Sequence, residues 1–221
     1  MVYYHVELGP SRGWADRGVR ASTMEDDASG AAMRAQSLEL VLATNESITI
    51  DLRPLPSPDE LEVVVDVLVE EKPPAYFWTA LAARCWNAER RAEAELIVAR
   101  GCAILPVHRP EESVPLFALQ AAFHLTDARA APKQVLSDAR YQSLGERAPK
   151  QHYFRQAVEA LNRAQSLNPQ HPMMLQARAA FALATGDNAL ATRLFDVLLS
   201  RVPTNPVALL GRACVQLRAR A

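Results

Sequence analysis

Apolar and polar positions along the chain follow two different periods. In residues 37–42 and 47–52 they alternate, and the four residues between these stretches can turn, so the sequence predicts a β-hairpin or two short edge strands. From Pro58 onward, apolar residues recur three and four positions apart, which is typical of amphipathic helices. We therefore expect an all-α fold with a short β-strand lead-in over residues 37–57.

Residues 1–36 show neither period. They contain four of the eight glycines and the acidic run Glu25-Asp26-Asp27, and their apolar residues are not regularly spaced. Segments of this composition bury too little apolar surface to offset the entropy of ordering the backbone. We expect residues 1–36 to form a disordered tail.

Capping residues and prolines mark the first helix and the pair of helices after it. Ser57 is a good N-cap, Pro58 suits the first helical position, and Pro73-Pro74 should end the helix near residue 71. A helix pair is predicted over about residues 75–106, with Trp78 in its core and Pro106 closing it.

A fixed spacing recurs in the last third of the chain. Pro203 follows Pro169 at the same interval at which Pro206 follows Pro172. This interval matches the period of the tetratricopeptide (TPR) helix-turn-helix repeat, about 34 residues, and the segment resembles that repeat. The interval also holds the large, small, turn and aromatic residues at the TPR positions, namely Leu175, Ala179, Gly186-Asp187, Ala191 and Phe195. Leu209 and Ala213 restart the pattern.

The period predicts a TPR solenoid over residues 58–221. Its repeats would cover about residues 75–106, 112–170 and 172–204, followed by a half repeat at 206–221. For the middle repeat we favour helices at about residues 112–130 and 153–167 with an insertion between them. A rival register begins at Tyr141, Leu144 and Gly145. Because the last repeat has only its first helix, we expect the chain to be part of a longer TPR protein.

Composition and scattered reactive residues do not favour catalysis. The formal net charge is −1, so no global charge favours nucleic acid, and no apolar run is long enough to span a membrane. Cys85, Cys102 and Cys214 lack metal or redox spacing, and the histidines are equally dispersed. We expect a non-enzyme without catalytic residues, metal or cofactor, and a helical enzyme domain is the weaker alternative.

Protein binding is the function that the TPR resemblance implies. In that family fixed positions of each first helix line the concave side, and the corresponding residues here are Tyr76, Thr79, Trp86, Met173, Gln176, Leu183, Val207 and Leu210. They are mostly apolar, so they could bind a partner segment or simply pack on the next repeat. The strands offer a second candidate contact through Leu40, Leu42, Ile48, Ile50 and Leu52.

Three segments carry a more specific resemblance. These are ITIDLRPLP at residues 48–56 with EEK at residues 70–72, the first repeat containing Trp78, and NPVALLGRAC at residues 205–214. In sequence and order they resemble the N-terminal part of the large TPR scaffold subunit of the polymerase-associated factor (PAF) elongation complex. Cys85-Trp86 and Arg90-Arg91 depart from that family's usual residues.

The PAF resemblance implies a nuclear, non-catalytic scaffold. Its partners would be the other subunits of the complex, above all the name-giving subunit and the parafibromin-like subunit. Contact with RNA polymerase II would be indirect, and direct nucleic-acid or membrane binding is not expected. Through these contacts the family supports transcription elongation and histone modification. The alternative is a generic TPR adaptor in another multiprotein assembly.

Overall fold

The computed structural model describes residues 37–131 and 150–219, so the predicted disordered tail lies outside the described residues. The chain divides into two compact units, the first ending at His108 and the second beginning at Arg109. The described residues are mostly helical, with one short antiparallel hairpin near the N-terminal side. The helical content and the hairpin both agree with what the sequence predicts for these residues.

The hairpin consists of β1 (Ser37–Val41) and β2 (Ser47–Asp51), paired so that Leu40 lies opposite Ile48. In the turn, the Leu42 N–H donates to the Glu46 carbonyl at 2.8 Å. One face of the hairpin is buried through alternate residues, which are Leu38, Leu40, Ile50 and Leu52. The alternating sequence thus becomes one core face and one solvent face.

Three helices complete the described part of the first unit. They are α1 (Pro58–Glu71), α2 (Ala75–Asn87) and α3 (Arg91–His108); α3 packs against both α1 and α2. At the start of α1 the Glu60 N–H donates to Ser57 Oγ at 3.4 Å, and the Ser57 N–H donates to Glu60 Oε2 at 2.8 Å. This reciprocal capping box is the helix start that the sequence predicts.

One helix end in the first unit differs from the prediction. Pro106 lies inside α3, which continues to His108, so the predicted stop is slightly early. A proline removes only one backbone donor there, and the adjacent Leu105 is fully buried and holds the last turn in place. Between α2 and α3, Glu89 adopts φ 62°, a left-handed conformation that glycine usually supplies.

The second unit begins with a short 3-10 turn at Glu111–Ser113, and its described residues form five helices. They are α4 (Val114–Ala130), α5 (Lys150–Leu167), α6 (Pro172–Thr185), α7 (Asn188–Arg201) and α8 (Pro206–Ala219). Helix α4 packs on α5 and α6, and α6 also contacts α5, α7 and α8. Helix α7 contacts both α6 and α8. Helices α4, α6 and α8 each correspond to the first helix of a predicted repeat, and each contacts the next in this order.

Small residues allow α4 and α5 to pack closely. Their shared core holds Ala121, Leu125, Ala157, Ala160 and Leu161, and Ala177 of α6 packs against this group. The rings of Phe154 and Phe181 meet edge to face, with their centroids 5.9 Å apart. The rival register of the middle repeat depends on Tyr141, Leu144 and Gly145, which lie outside the described residues.

Candidate protein-binding surface

Helices α6 and α8 begin in equivalent ways, one repeat length apart. His171 is the N-cap of α6, and its Nδ1 accepts a hydrogen bond from the Met173 N–H at 3.2 Å. Asn205 precedes α8, and its Oδ1 accepts from the Ala208 N–H at 2.9 Å. In both helices the next residue is a proline, which lacks the N–H that would otherwise be unpaired.

Helix α7 joins α6 to α8 through close packing. The Asp187 carboxylate caps its start by accepting from the Leu190 N–H at 2.9 Å. Further along, the Phe195 ring points at Gly211 of α8, and a Cβ added at Gly211 would overlap the ring. Only glycine leaves room for this ring, so the pair fixes how α7 and α8 meet.

Polar contacts also join these three helices. Arg218 of α8 donates to the Leu183 carbonyl in the last turn of α6, where helix carbonyls lack intrahelical partners. Arg201 of α7 donates to the carbonyl and side chain of Gln170 in the loop before α6. Arg212 of α8 pairs with Asp196 of α7. These contacts join α6, α7 and α8 to one another.

The predicted groove residues of the second unit are carried by α6 and α8, which contact each other. Met173, Gln176 and Leu183 of α6 are partly exposed, and so is Val207 of α8. Leu210 is 48% exposed. None of these five side chains carries a charge, and all five are at least partly accessible to solvent.

In the first unit the predicted groove residues do not share one environment. Tyr76 is 50% exposed, and Trp86 is partly exposed with the Arg91 guanidinium 5.0 Å from its ring. Thr79 is only 4% exposed, and its Oγ1 donates to the Tyr76 carbonyl at 3.1 Å. The prediction that Thr79 contacts a partner is therefore corrected: its hydroxyl is used within α2.

The strand residues proposed for partner binding are mostly core. Leu40, Ile50 and Leu52 are buried, while Leu42 and Ile48 are partly exposed. The Ala43 N–H also donates to Glu71 Oε2 of α1 at 2.9 Å, which ties the hairpin turn to that helix. A partner could pair with the outer backbone edges of the hairpin, but the buried side chains are not available to it.

Burial shifts the pKa of one thiol and two imidazoles in the described part of the chain. Burial raises the pKa of the Cys85 thiol to about 11, which keeps it protonated and a poor nucleophile. Burial lowers the pKa of His124 and of His171. Within residues 37–131 and 150–219 no three histidine, cysteine, aspartate or glutamate side chains are grouped to hold a metal ion.

None of the helices that the structure describes is both long enough and apolar enough to cross a membrane.

Two features of the site were missed from the sequence. His171-Pro172 and Asn205-Pro206 both place a capping side chain before a proline, and this recurring arrangement can be read from the sequence. Gly211 gave no such signal, because its importance comes from Phe195, a residue on another helix.

No protein-family model matches this chain, and none of the curated proteins compared with it does. Its function is therefore inferred from its own residues and their geometry.

Proposed function

We propose that the chain is a non-catalytic TPR scaffold that binds protein partners. The observation that carries this proposal is the recurrence of α6 as α8 one repeat length later, with α7 packed against both. Equivalent caps and prolines start the two helices, and the signature residues Ala179, Ala191 and Phe195 are buried. Stacked helix pairs of this kind create extended surfaces that bind other chains.

The expected binding surface is the accessible part of the predicted groove. We define the α6–α8 groove by Met173, Gln176, Leu183, Val207 and Leu210. Its lack of charge favours an apolar segment of the partner and argues against capture of a terminal carboxylate, which needs basic side chains. In the first unit Tyr76 and Trp86 provide separate aromatic contacts, which are frequent at protein interfaces.

The particular assembly that we propose is the PAF complex. The support is the resemblance of residues 48–56, the Trp78 repeat and residues 205–214 to its TPR scaffold subunit. In the last of these segments Asn205 caps α8 and Gly211 receives Phe195. In this role the protein would be nuclear, would bind the name-giving and parafibromin-like subunits, and would support RNA polymerase II elongation and histone modification.

Affinity purification of the full-length gene product tests the assembly. With a tag at its native locus, we expect the other PAF subunits to co-purify in near-equal amounts and RNA polymerase II to co-purify in smaller amounts. Recovery of a different stable set of proteins would replace the PAF assignment with the generic TPR adaptor. Recovery of no stable partner would contradict both.

Two substitutions test the binding surface itself. Tyr76→Glu and Leu210→Glu each place a charge at a half-exposed position, so the fold should survive while an apolar partner is repelled. We expect each to reduce capture of the partners recovered with the wild type by about tenfold. Val107→Glu is the matched control, because Val107 is 76% exposed and outside the predicted groove. Undiminished capture by folded variants would remove these residues from the surface.

A further inference from the structure

Ser57 lies in a proline-rich step between the hairpin and α1. Pro54, Pro56 and Pro58 surround it, and both Ser57 and Pro58 are exposed to solvent. The Ser57 backbone has φ −58° and ψ 162°, which is an extended conformation. No other serine or threonine among the 221 residues is followed by proline. The chain thus presents a single Ser-Pro dipeptide, and it presents it on an exposed, extended segment.

A serine followed by proline is the acceptor that proline-directed protein kinases select. Proline has no backbone N–H, so the part of the kinase groove that holds it needs no acceptor for one. Kinases also need an accessible backbone before the serine. Residues 52–57 belong to neither a helix nor a strand, and Pro54 and Pro56 favour an extended chain there. Ser57 therefore meets both the sequence and the backbone requirements of such a kinase.

The start of α1 directs backbone N–H groups at the Ser57 side chain. The Glu60 N–H donates to Ser57 Oγ at 3.4 Å, which is a long hydrogen bond. The Asp59 N–H belongs to the same first turn, where helix donors lack intrahelical partners. A phosphate on Oγ carries close to two negative charges and three strong acceptors. It would accept from these N–H groups and lie at the positive end of the helix dipole.

Arg90 places a positive charge beside the same residue. It directly precedes α3, and its Nη1 donates to the Pro56 carbonyl, which is part of the peptide bond between Pro56 and Ser57. Its Nε donates to Glu93 Oε1 at 3.1 Å. Its Nη2 is buried and has no hydrogen-bond partner in the part of the chain that the structure describes. The guanidinium therefore has an unused donor close to the position that a phosphate on Ser57 would take.

We propose that Ser57 is a phosphorylation site of a proline-directed protein kinase, and that Arg90 and the first turn of α1 hold the phosphate. The γ-phosphoryl group of ATP forms a bond to Ser57 Oγ, its bond to the β-phosphate oxygen breaks, and the hydroxyl proton passes to the catalytic base of the kinase. The carboxylates of Asp59 and Glu60 repel the phosphate, so the Arg90 guanidinium decides the outcome. With Arg90 present, phosphorylation strengthens the start of α1 and links it to the start of α3.

Phosphate analysis tests the site itself. Mass spectrometry of the full-length gene product, isolated from its own cells with phosphatases inhibited, should find phosphate on Ser57. A purified mitogen-activated protein kinase with ATP should add one phosphate to this chain and none to Ser57→Asn, which keeps a capping side chain. Unmodified Ser57 in the cellular protein would overturn the proposal, and so would equal incorporation into Ser57→Asn.

Hydrogen exchange tests the groups that hold the phosphate. On phosphorylation, exchange of the Glu60 N–H should slow by at least about fivefold, as measured by NMR. In Arg90→Gln the same modification should leave this exchange unchanged or make it faster, because the two carboxylates then act unopposed. Arg100→Gln is the matched control, since Arg100 is exposed in α3, and it should behave as the wild type.

Each variant is compared with its own unphosphorylated form, so loss of the bond between Arg90 and Pro56 does not enter the comparison. Equal slowing in Arg90→Gln and in the wild type would exclude Arg90 as a phosphate ligand. Faster exchange in the phosphorylated wild type would show that the carboxylates dominate, and it would overturn the proposed role of the phosphate.

Discussion

Helices α6 and α8 have the same sequence pattern but different surroundings. Leu175 of α6 is 5% exposed, whereas Leu209, its equivalent in α8, is 50% exposed. The two helices share a cap, a first-turn proline and a large-to-small spacing, so local sequence does not cause the difference. The difference comes from packing: α7 contacts both helices, but its contact with α8 leaves Leu209 half in solvent. The pattern specifies which face of a helix is apolar, and a neighbouring helix decides whether that face is buried.

The largest expected effect comes from truncating the two equivalent leucines. Leu175→Ala should lower the free energy of unfolding by about 3 kcal/mol, because it leaves a cavity at a buried position. Leu209→Ala should lower it by only about 0.5 kcal/mol, because the side chain is half in solvent. Urea denaturation of the two variants measures both values. Equal losses would mean that α8 is as well covered as α6.

The next effect concerns the contact between α7 and α8. Gly211→Ala should cost about 2 kcal/mol of unfolding free energy, because the new methyl group would overlap the Phe195 ring. This cost should exceed the gain in helix propensity from replacing glycine.

The Gly211→Ala result has an internal control. Adding Phe195→Leu should recover most of the lost stability, because a leucine leaves room for the new methyl group. One repeat length earlier, the equivalent positions hold this leucine–alanine combination, and Leu161 and Ala177 belong to one packed group. A double-mutant cycle measures this coupling. Additive losses would show that Phe195 and Gly211 do not constrain each other.

A smaller effect is expected at the start of α8. Asn205→Ala should lower the free energy of unfolding by about 1 kcal/mol, because it removes the acceptor for the Ala208 N–H. Asn205→Asp keeps an acceptor and serves as the matched control. Hydrogen exchange of the first turn of α8 would show the change, and unaltered exchange in the alanine variant would contradict the cap.

The smallest expected effect is a difference between α6 and α8 in how their first turns respond to pH. Burial lowers the pKa of His171 in the folded state, so the unfolded chain binds more protons as pH falls below about 6.5. The His171 contribution to stability is therefore present above that pH and is lost as pH falls through the lower folded pKa. Protonated imidazole also cannot accept from the Met173 N–H.

The start of α6 should therefore loosen in mild acid while that of α8 does not, because Asn205 does not titrate. Hydrogen exchange at two pH values measures this difference. In His171→Asn the start of α6 should loosen less in mild acid, because the contribution of the His171 imidazole is removed. The same loosening in both helices, or an unchanged pH response in the variant, would refute the His171 explanation.

Local signals accounted for most of the secondary structure. Alternation predicted the hairpin because its buried face repeats every two residues, and Ser57 predicted the start of α1 through its cap. Contacts between helices were harder to predict. Nothing near Thr79 indicated that it would be buried, and nothing near Gly211 indicated the ring of Phe195. These properties depend on residues that become neighbours only after folding.

The Phe195–Gly211 contact limits how freely the helix pairs can be exchanged. In many repeat proteins a unit can be moved, duplicated or deleted, since each unit meets its neighbour through a similar surface. Here the junction of α7 with α8 joins a large ring to a residue without a side chain. The packed group at the junction of α5 with α6 instead holds Leu161 and Ala177. The two junctions are therefore not interchangeable, and the sizes of these side chains determine which helix pairs can be neighbours.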